Sequence, residues 1–128
     1  MALAPLTLSL LPETFAVCRL PAEAPLPAWA LAGPFFTVTR TADELSIVCT
    51  QAQVPSGVTC QPGWRCFQVA GPLDFALTGV LASLAGPLAA AGVSIFAIST
   101  YDTDYLLAPA VALDRAVAAL RNAGHTVA

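Results

Sequence analysis

Gly71-Pro72-Leu73-Asp74-Phe75 opens the stretch that decides the fold, and Ser94-Ile95-Phe96-Ala97-Ile98-Ser99-Thr100-Tyr101, Asp102-Thr103 and Asp104-Tyr105-Leu106-Leu107 close it. Between them Leu77, Val80, Leu81, Leu84 and Leu88 recur at three- and four-residue steps, which predicts one apolar stripe on a helix running from Asp74 to Ala91. Asp74 is placed to cap that helix and Gly92 to end it, after which Val93 and Ile95 flank Ser94 in strand-like alternation. Pro87 lacks an amide donor and crowds the Ser83 carbonyl, so a kink or a tightened last turn is expected. A turn, a helix and an alternating strand pair in unbroken succession read as half of a small ligand-binding fold.

Working outward, Trp64 to Ala70 reads as a strand before the turn. After the hairpin tip at Asp102-Thr103, a strand from Asp104 to Ala108 leads to a helix from about Ala110 to Ala123. Its inward face is expected to carry Val111, Leu113, Val117 and Leu120, with Asp114, Arg115 and Arg121 in water. Gly124 stops this helix, and His125-Thr126-Val127 forms a short last strand. The order βαββαβ is the split ferredoxin-like arrangement. At an offset of 60 positions, Phe36, Val38, Thr39, Glu44, Leu45 and Ile47 match Phe96, Ile98, Ser99, Asp104, Tyr105 and Leu107, which suggests an internal repeat. The first copy is shortened. Pro21, Pro25 and Pro27 leave room for one turn of helix around Ala28 to Leu31, and Val54-Pro55-Ser56-Gly57 stands where a second helix would be. The expected division is 1–61 for the shortened repeat and 62–128 for the full one, in an α+β fold in which the repeat shares the second unit's sheet and neither half stands alone.

Composition narrows the function classes. The 128 residues are 57% hydrophobic and 10% charged, so charge is too sparse to cover the surface, and exposed apolar patches predict self-association. A homodimer is expected, using an edge at Trp64 to Ala70 or at Phe15 to Leu20, or an apolar helix face. The net charge is -3, and the arginines stand singly at 19, 40, 65, 115 and 121, so no basic stripe is offered to nucleic acid. Cys18, Cys49, Cys60 and Cys66 are separated by 31, 11 and 6 positions, without the C-x-x-C pairing of zinc or redox motifs, and read as small hydrophobes of a reducing, cytoplasmic compartment. The run Leu6 to Leu11 has no basic residue before it and is short for a secretory core; it is read as a strand. Phe75 to Thr100 is uncharged and long enough for a bilayer, but Gly86-Pro87 and Gly92 interrupt it, so a helix followed by a buried strand is expected and no membrane role. No serine or cysteine has a sequence-visible base, the single histidine lies near the end of the chain, and Asp102 with Asp104 sits at a hairpin tip. No catalytic residue, metal site or cofactor is expected, and no phosphate-binding loop is present.

Two segments carry a family resemblance: Gly71-Pro72-Leu73-Asp74-Phe75-Ala76-Leu77-Thr78-Gly79-Val80, and Ser99-Thr100-Tyr101-Asp102-Thr103-Asp104-Tyr105-Leu106-Leu107. They resemble the ACT domain as found in aspartokinase regulatory modules and, more closely, the tandem ACT units of the CASTOR arginine sensors. The resemblance covers Trp64 to Val127 and, in shortened form, the first half. It implies an amino-acid-sensing regulatory protein whose ligand, an amino acid or a similar small molecule, binds where two ACT units pack side by side. Carried onto this chain, the ligand-binding residues are Leu73, Asp74, Phe75, Thr78, Gly79, Val80, Ser99, Thr100, Tyr101 and Asp104. Amides at the start of the helix suit a carboxylate, and Asp74 and Asp104 suit an ammonium group. Blander readings stand beside these: Asp74 as a helix cap alone, Asp104 as a solvated hairpin acid, and Thr78 and Gly79 as residues permitting close approach of a strand. A ligand-free assembly module is the alternative function.

Overall fold

The computed structural model describes residues 5–128. Its strands are β1 (Thr7–Leu20), β2 (Thr37–Arg40), β3 (Leu45–Thr50), β4 (Thr59–Val69), β5 (Phe96–Ser99), β6 (Asp104–Pro109) and β7 (Thr126–Val127). Its α-helices are α1 (Val80–Ala90) and α2 (Leu113–Asn122), and single 3-10 turns lie at Ala28–Leu31, Gln51–Gln53 and Ala110–Ala112. Two compact units result: Glu13–Trp64, and the segment up to Pro12 together with Arg65–Ala128. The long strands β1 and β4 each contribute residues to both units, and β1 through Pro12 counts with the C-terminal residues.

The larger unit is the α+β arrangement expected from the sequence. Its strands run β7-β1-β4-β6-β5, so β1 rather than β7 lies beside β4, and β7 pairs with Thr7 and Leu8 in parallel. A two-residue strand forms too few ladder bonds to hold that place, and β1 supplies them. Since β4 has neighbours on both sides, Trp64 to Ala70 offers no free edge; the unit's edges are β5 and the two-residue β7. The core joins Leu8, Phe67, Val69 and Leu106 of the sheet to Val80, Leu84 and Leu88 of α1 and Ala116 and Leu120 of α2. Helix α1 begins six residues after Asp74, so Leu77 lies outside it and Leu81 on its exposed side. Val111 is 98% exposed, because Ala110–Ala112 forms a 3-10 turn whose three-residue period shifts the phase, and Ala112 and Ala116 take the inward positions. Both helices end as the sequence predicts. Gly92 and Gly124 have φ of 73° and 97°, and the amides of Val93 and His125 reach back to Leu88 and Leu120 at 2.9 and 3.1 Å.

Pro87 stays inside α1, leaving the Ser83 carbonyl without its amide donor. His125 supplies the replacement. Its Nδ1 accepts from the Leu6 amide at 3.0 Å, so the neutral ring carries its proton on Nε2, which donates to Ser83 O at 3.2 Å. The histidine is 8% exposed and ties α1 and the N-terminal strand segment to the end of the chain.

The smaller unit holds β2-β3-β1-β4, with β3 antiparallel to β1 through Phe15↔Thr50 to Leu20↔Leu45 and to β2 through Thr37↔Val48 to Arg40↔Leu45. In this unit β1 lies between β3 and β4, so Phe15 to Leu20 is not an edge either; β2 is. Ala16, Cys18, Leu45, Ile47 and Cys49 pack with Ala30 of the 3-10 turn, and no α-helix is formed among these residues. The two hairpins align at a spacing other than the one read from the sequence: Thr37 to Phe96, Leu45 to Asp104 and Gln51 to Ala110 are fifty-nine residues apart in each case. Because side chains alternate along a strand, the offset of 60 read from the sequence matched opposite faces. Thr41 and Thr100 occupy the same place in the two hairpins, their amides donating to Glu44 O at 2.9 Å and Thr103 O at 2.8 Å.

His125→Ala should lower stability by about 1–3 kcal/mol, from two lost hydrogen bonds and the groups left unpaired. With Pro87→Ala the residue-87 amide can serve Ser83 O, so the same histidine substitution should cost less in that background. Urea unfolding at constant m reads both, and equal losses would uncouple the histidine from the proline.

Candidate functional site

The larger unit carries a cleft of about 320 Å³ between the turn leading into α1 and the tip of the β5–β6 hairpin. Its walls come from Leu73, Asp74, Phe75, Leu77, Gly79, Val80 and Leu81 on one side and from Ser99 through Asp104 on the other. Every ligand-binding residue expected from the sequence therefore lines one cleft except Thr78, which does not.

Hydrogen bonds tie the hairpin to the turn and to the end of β4. The Leu73 amide donates to Asp102 O at 2.7 Å, and Thr103 Oγ1, 6% exposed, donates to Val69 O at 2.6 Å. Gly71 is required there: a Cβ on it would lie 2.9 Å from Asp102 O and 3.0 Å from the Thr103 Cβ. The hairpin closes on itself through Thr100, whose hydroxyl donates to Thr103 O at 3.0 Å.

Asp74 is not the helix cap. Its Oδ1 accepts from the Ala76 amide at 2.8 Å and its carbonyl from the Leu77 amide at 2.9 Å, forming a turn of its own before the helix. The N-cap is Gly79, with φ of 84° and no side-chain bond, and its carbonyl accepts from Ser83 N at 2.9 Å. No atom lies within 4 Å of a Cβ built on Gly79, so the glycine answers to backbone conformation rather than to close approach of a strand. No side chain caps α1, and its first residues, Val80 and Leu81, line the cleft at the positive end of the helix.

On the opposite wall Ser99 Oγ donates to Asp104 Oδ1 at 2.7 Å across the strand pair, which orients the carboxylate. Asp74, Asp102 and Asp104 bring three carboxylates to the lining and no arginine faces them from it. At the mouth Phe75 and Tyr101 stack with centroids 5.0 Å apart and planes tilted by 40°, although they are 78% and 82% exposed. On β6, burial first, and then nearby Cys66 and Asp102, hold the Tyr105 hydroxyl above its ordinary range. Leu77, Leu81, Asp102 and Thr103 are cleft residues that the sequence reading did not assign. The two leucines were placed on a buried stripe because the apolar spacing runs smoothly across the turn into α1.

A βαββαβ-type unit with its cleft at the entry to the first helix is an α+β fold of the ferredoxin-like class. Within it, the ACT domain family model matches residues 59–122, half of the chain, and the protein belongs to that family. A second model, for an N-terminal domain, matches residues 13–57. The chain is 40% identical over 84 residues to the Rattus norvegicus "Cytosolic arginine sensor for mTORC1 subunit 1", covering 59% of this chain and 25% of that protein. It thus spans about a quarter of the length of that relative. A crystal structure of an Agrobacterium tumefaciens protein superposes with a TM-score of 0.93 at 40% identity, covering 98% of this chain and 94% of the other. The ligand-free regulatory subunit of aspartate kinase from Thermus thermophilus shares the fold, with a TM-score of 0.66 at 12% identity, over 92% of this chain and 97% of that one. Among the described residues no helix is long and apolar enough to cross a membrane, and no cluster of three or more His, Cys, Asp or Glu could hold a metal ion.

The glycines of the first helix give a matched test. Gly79→Ala forces a side chain into the left-handed region and should cost about 1–2 kcal/mol. Gly86, exposed with open space around it, should instead gain about 0.5–1 kcal/mol as alanine. Chemical denaturation of the two variants should move in opposite directions.

Proposed function

We propose that this protein is a regulatory sensor that binds an amino acid or a similar small metabolite in the cleft at Leu73 to Leu81 and Ser99 to Asp104. The observation that carries this reading is the convergence of the uncapped start of α1 with three carboxylates on one cleft. A zwitterion has one group for each: its carboxylate meets the amides of Val80 and Leu81, and its ammonium meets Asp74 and Asp104, with Thr100 adding a hydroxyl. Thr78 lies outside this lining and is left out of the proposed contacts. Membership in the ACT family and the relative named as a cytosolic arginine sensor support a ligand-binding regulatory role in the cytoplasm, without catalysis.

Transmission is proposed to run through a homodimer interface. The cleft's own rim favours this, since Phe75, Tyr101, Leu77 and Leu81 together expose apolar surface that a second copy would cover. The same rim supports the alternative of an assembly module without ligand. A thermal-shift screen against amino acids separates the two. A one-site ligand at a hundred times its Kd stabilises by about 2.7 kcal/mol, whereas a flat response favours assembly.

Asp104→Ala should weaken ligand binding by about 1.5–3 kcal/mol, the cost of a charge-assisted hydrogen bond, with little change in folding because its bond to Ser99 lies at the surface. Wild-type affinity in calorimetric titration would take Asp104 out of the site. Light scattering at micromolar concentration should report a dimer, and a lasting monomer would remove the interface from the proposal.

A further inference from the structure

The smaller unit holds a group of side chains that the proposed sensing cleft does not use. Cys18 on β1, Cys49 on β3 and Cys60 on β4 come from three strands that are neighbours in the order β3-β1-β4, and all three belong to one packed cluster. All are free thiols. Cys18 sits on the middle strand, with the strand of Cys49 on one side and that of Cys60 on the other.

The three are not equivalent. In the β1–β3 register Cys18 faces Ile47 and Cys49 faces Ala16, so Cys18 and Cys49 are diagonal neighbours. Diagonal Cα atoms on adjacent strands are about 7–8 Å apart, beyond the usual disulfide span of about 4.4–6.8 Å. Cys49 is also fully buried, and Cys18 is 2% exposed. Cys60 is the half-buried member and the one an oxidant in water can reach.

We propose that Cys60 and Cys18 form an oxidisable dithiol that hydrogen peroxide converts to a cross-strand disulfide between β4 and β1. In the first step the Cys60 sulfur attacks one peroxide oxygen, the O–O bond breaks, and Cys60 becomes a sulfenic acid as water leaves. In the second, the Cys18 sulfur attacks the Cys60 sulfur, the S–O bond breaks, and the departing hydroxide takes the Cys18 proton as a second water. Two thiols are oxidised by two electrons and one peroxide is reduced. The order of events follows from burial. Burial, reinforced by the neighbouring thiols Cys49 and Cys60, pushes the Cys18 thiol up to about 12, so it stays protonated while the first oxidation falls to Cys60. The bridge would fasten β1 to β4 within the smaller unit, which has no α-helix among its described residues to brace its sheet.

The test treats the full-length protein with stoichiometric hydrogen peroxide, blocks remaining thiols with N-ethylmaleimide and digests with trypsin without reduction. Cleavage after Arg19, Arg40 and Arg65 places Cys18 in the first peptide and both Cys49 and Cys60 in another, so variants assign the partner. The wild type and Cys49→Ala should give a linked pair of these peptides that dithiothreitol releases, and Cys60→Ser should give none. A link that persists in Cys60→Ser and vanishes in Cys49→Ala would assign the bridge to Cys49 and overturn the proposal. So would oxidation of Cys60 to sulfinic or sulfonic acid with no linked peptide in any variant.

Discussion

The larger unit depends on one carbonyl that its own helix cannot satisfy. Pro87 allows α1 to continue but takes away the donor for Ser83 O, and His125 brings Nε2–H to it. Because the same ring accepts from the Leu6 amide, the bond that repairs the helix also fixes the start of β1 and the end of the chain. From that point Thr126 N donates to Leu6 O and Ala128 N to Leu8 O, both at 2.9 Å, so the short β7 is held by its entry as much as by its ladder. A buried polar group left alone is costly, and the arrangement therefore specifies one packing of α1 on the sheet. Helix α1 cannot shift along its axis without orphaning Ser83, and its N-terminus is where the cleft begins.

The cleft inherits this rigidity from one side and its shape from the other. The Leu73 amide binds the turn to the hairpin at 2.7 Å, the Thr103 hydroxyl binds the hairpin to the end of β4 at 2.6 Å, and Gly71 lets the turn and hairpin backbones meet. The cleft is then lined by the start of α1 on one side and by the carboxylates of Asp102 and Asp104 on the other, Asp104 being oriented by Ser99. The third carboxylate, that of Asp74, also closes a turn with Ala76. A ligand contact through Asp74 would use the carboxylate's remaining lone pairs.

What could be read from the sequence was whatever depends on local periodicity. Leu84, Leu88 and Leu120 are buried where the spacing put them, Gly92 and Gly124 end the helices, and the strand pair forms, although its first strand stops at Ser99 and the turn takes in Thr100 and Tyr101 as well as Asp102 and Thr103. Features that depend on phase were lost. An acid ahead of an apolar run looks like a cap, yet five residues separate Asp74 from α1 and the true cap is a glycine with no side chain to announce it. Val111 fits a helical stripe, but one 3-10 turn rotates it into water. Lateral strand order was illegible as well. Nothing local in Cys18, Cys49 or Cys60 says that their strands are neighbours, just as nothing around His125 reveals that Pro87 leaves a carbonyl for it.

The two hairpins show why a cleft forms beside the second. Their strands keep the same register at a spacing of fifty-nine, with a threonine closing each turn at 41 and 100. The last residue of the first hairpin's opening strand is Arg40, and the equivalent residue is Ser99. Arg40 extends to the loop after β1 and donates to the carbonyls of Ala22 and Ala24, so the polar groups of that loop are satisfied by the chain's own cation. Ser99 is too short to make the equivalent reach. It donates instead to Asp104 on the adjoining strand, and the loop beside it ends in an uncapped helix rather than in carbonyls already bonded to a guanidinium. One hairpin thus answers its loop internally, and the other stands across a cleft from the start of α1, with three acidic residues in the lining.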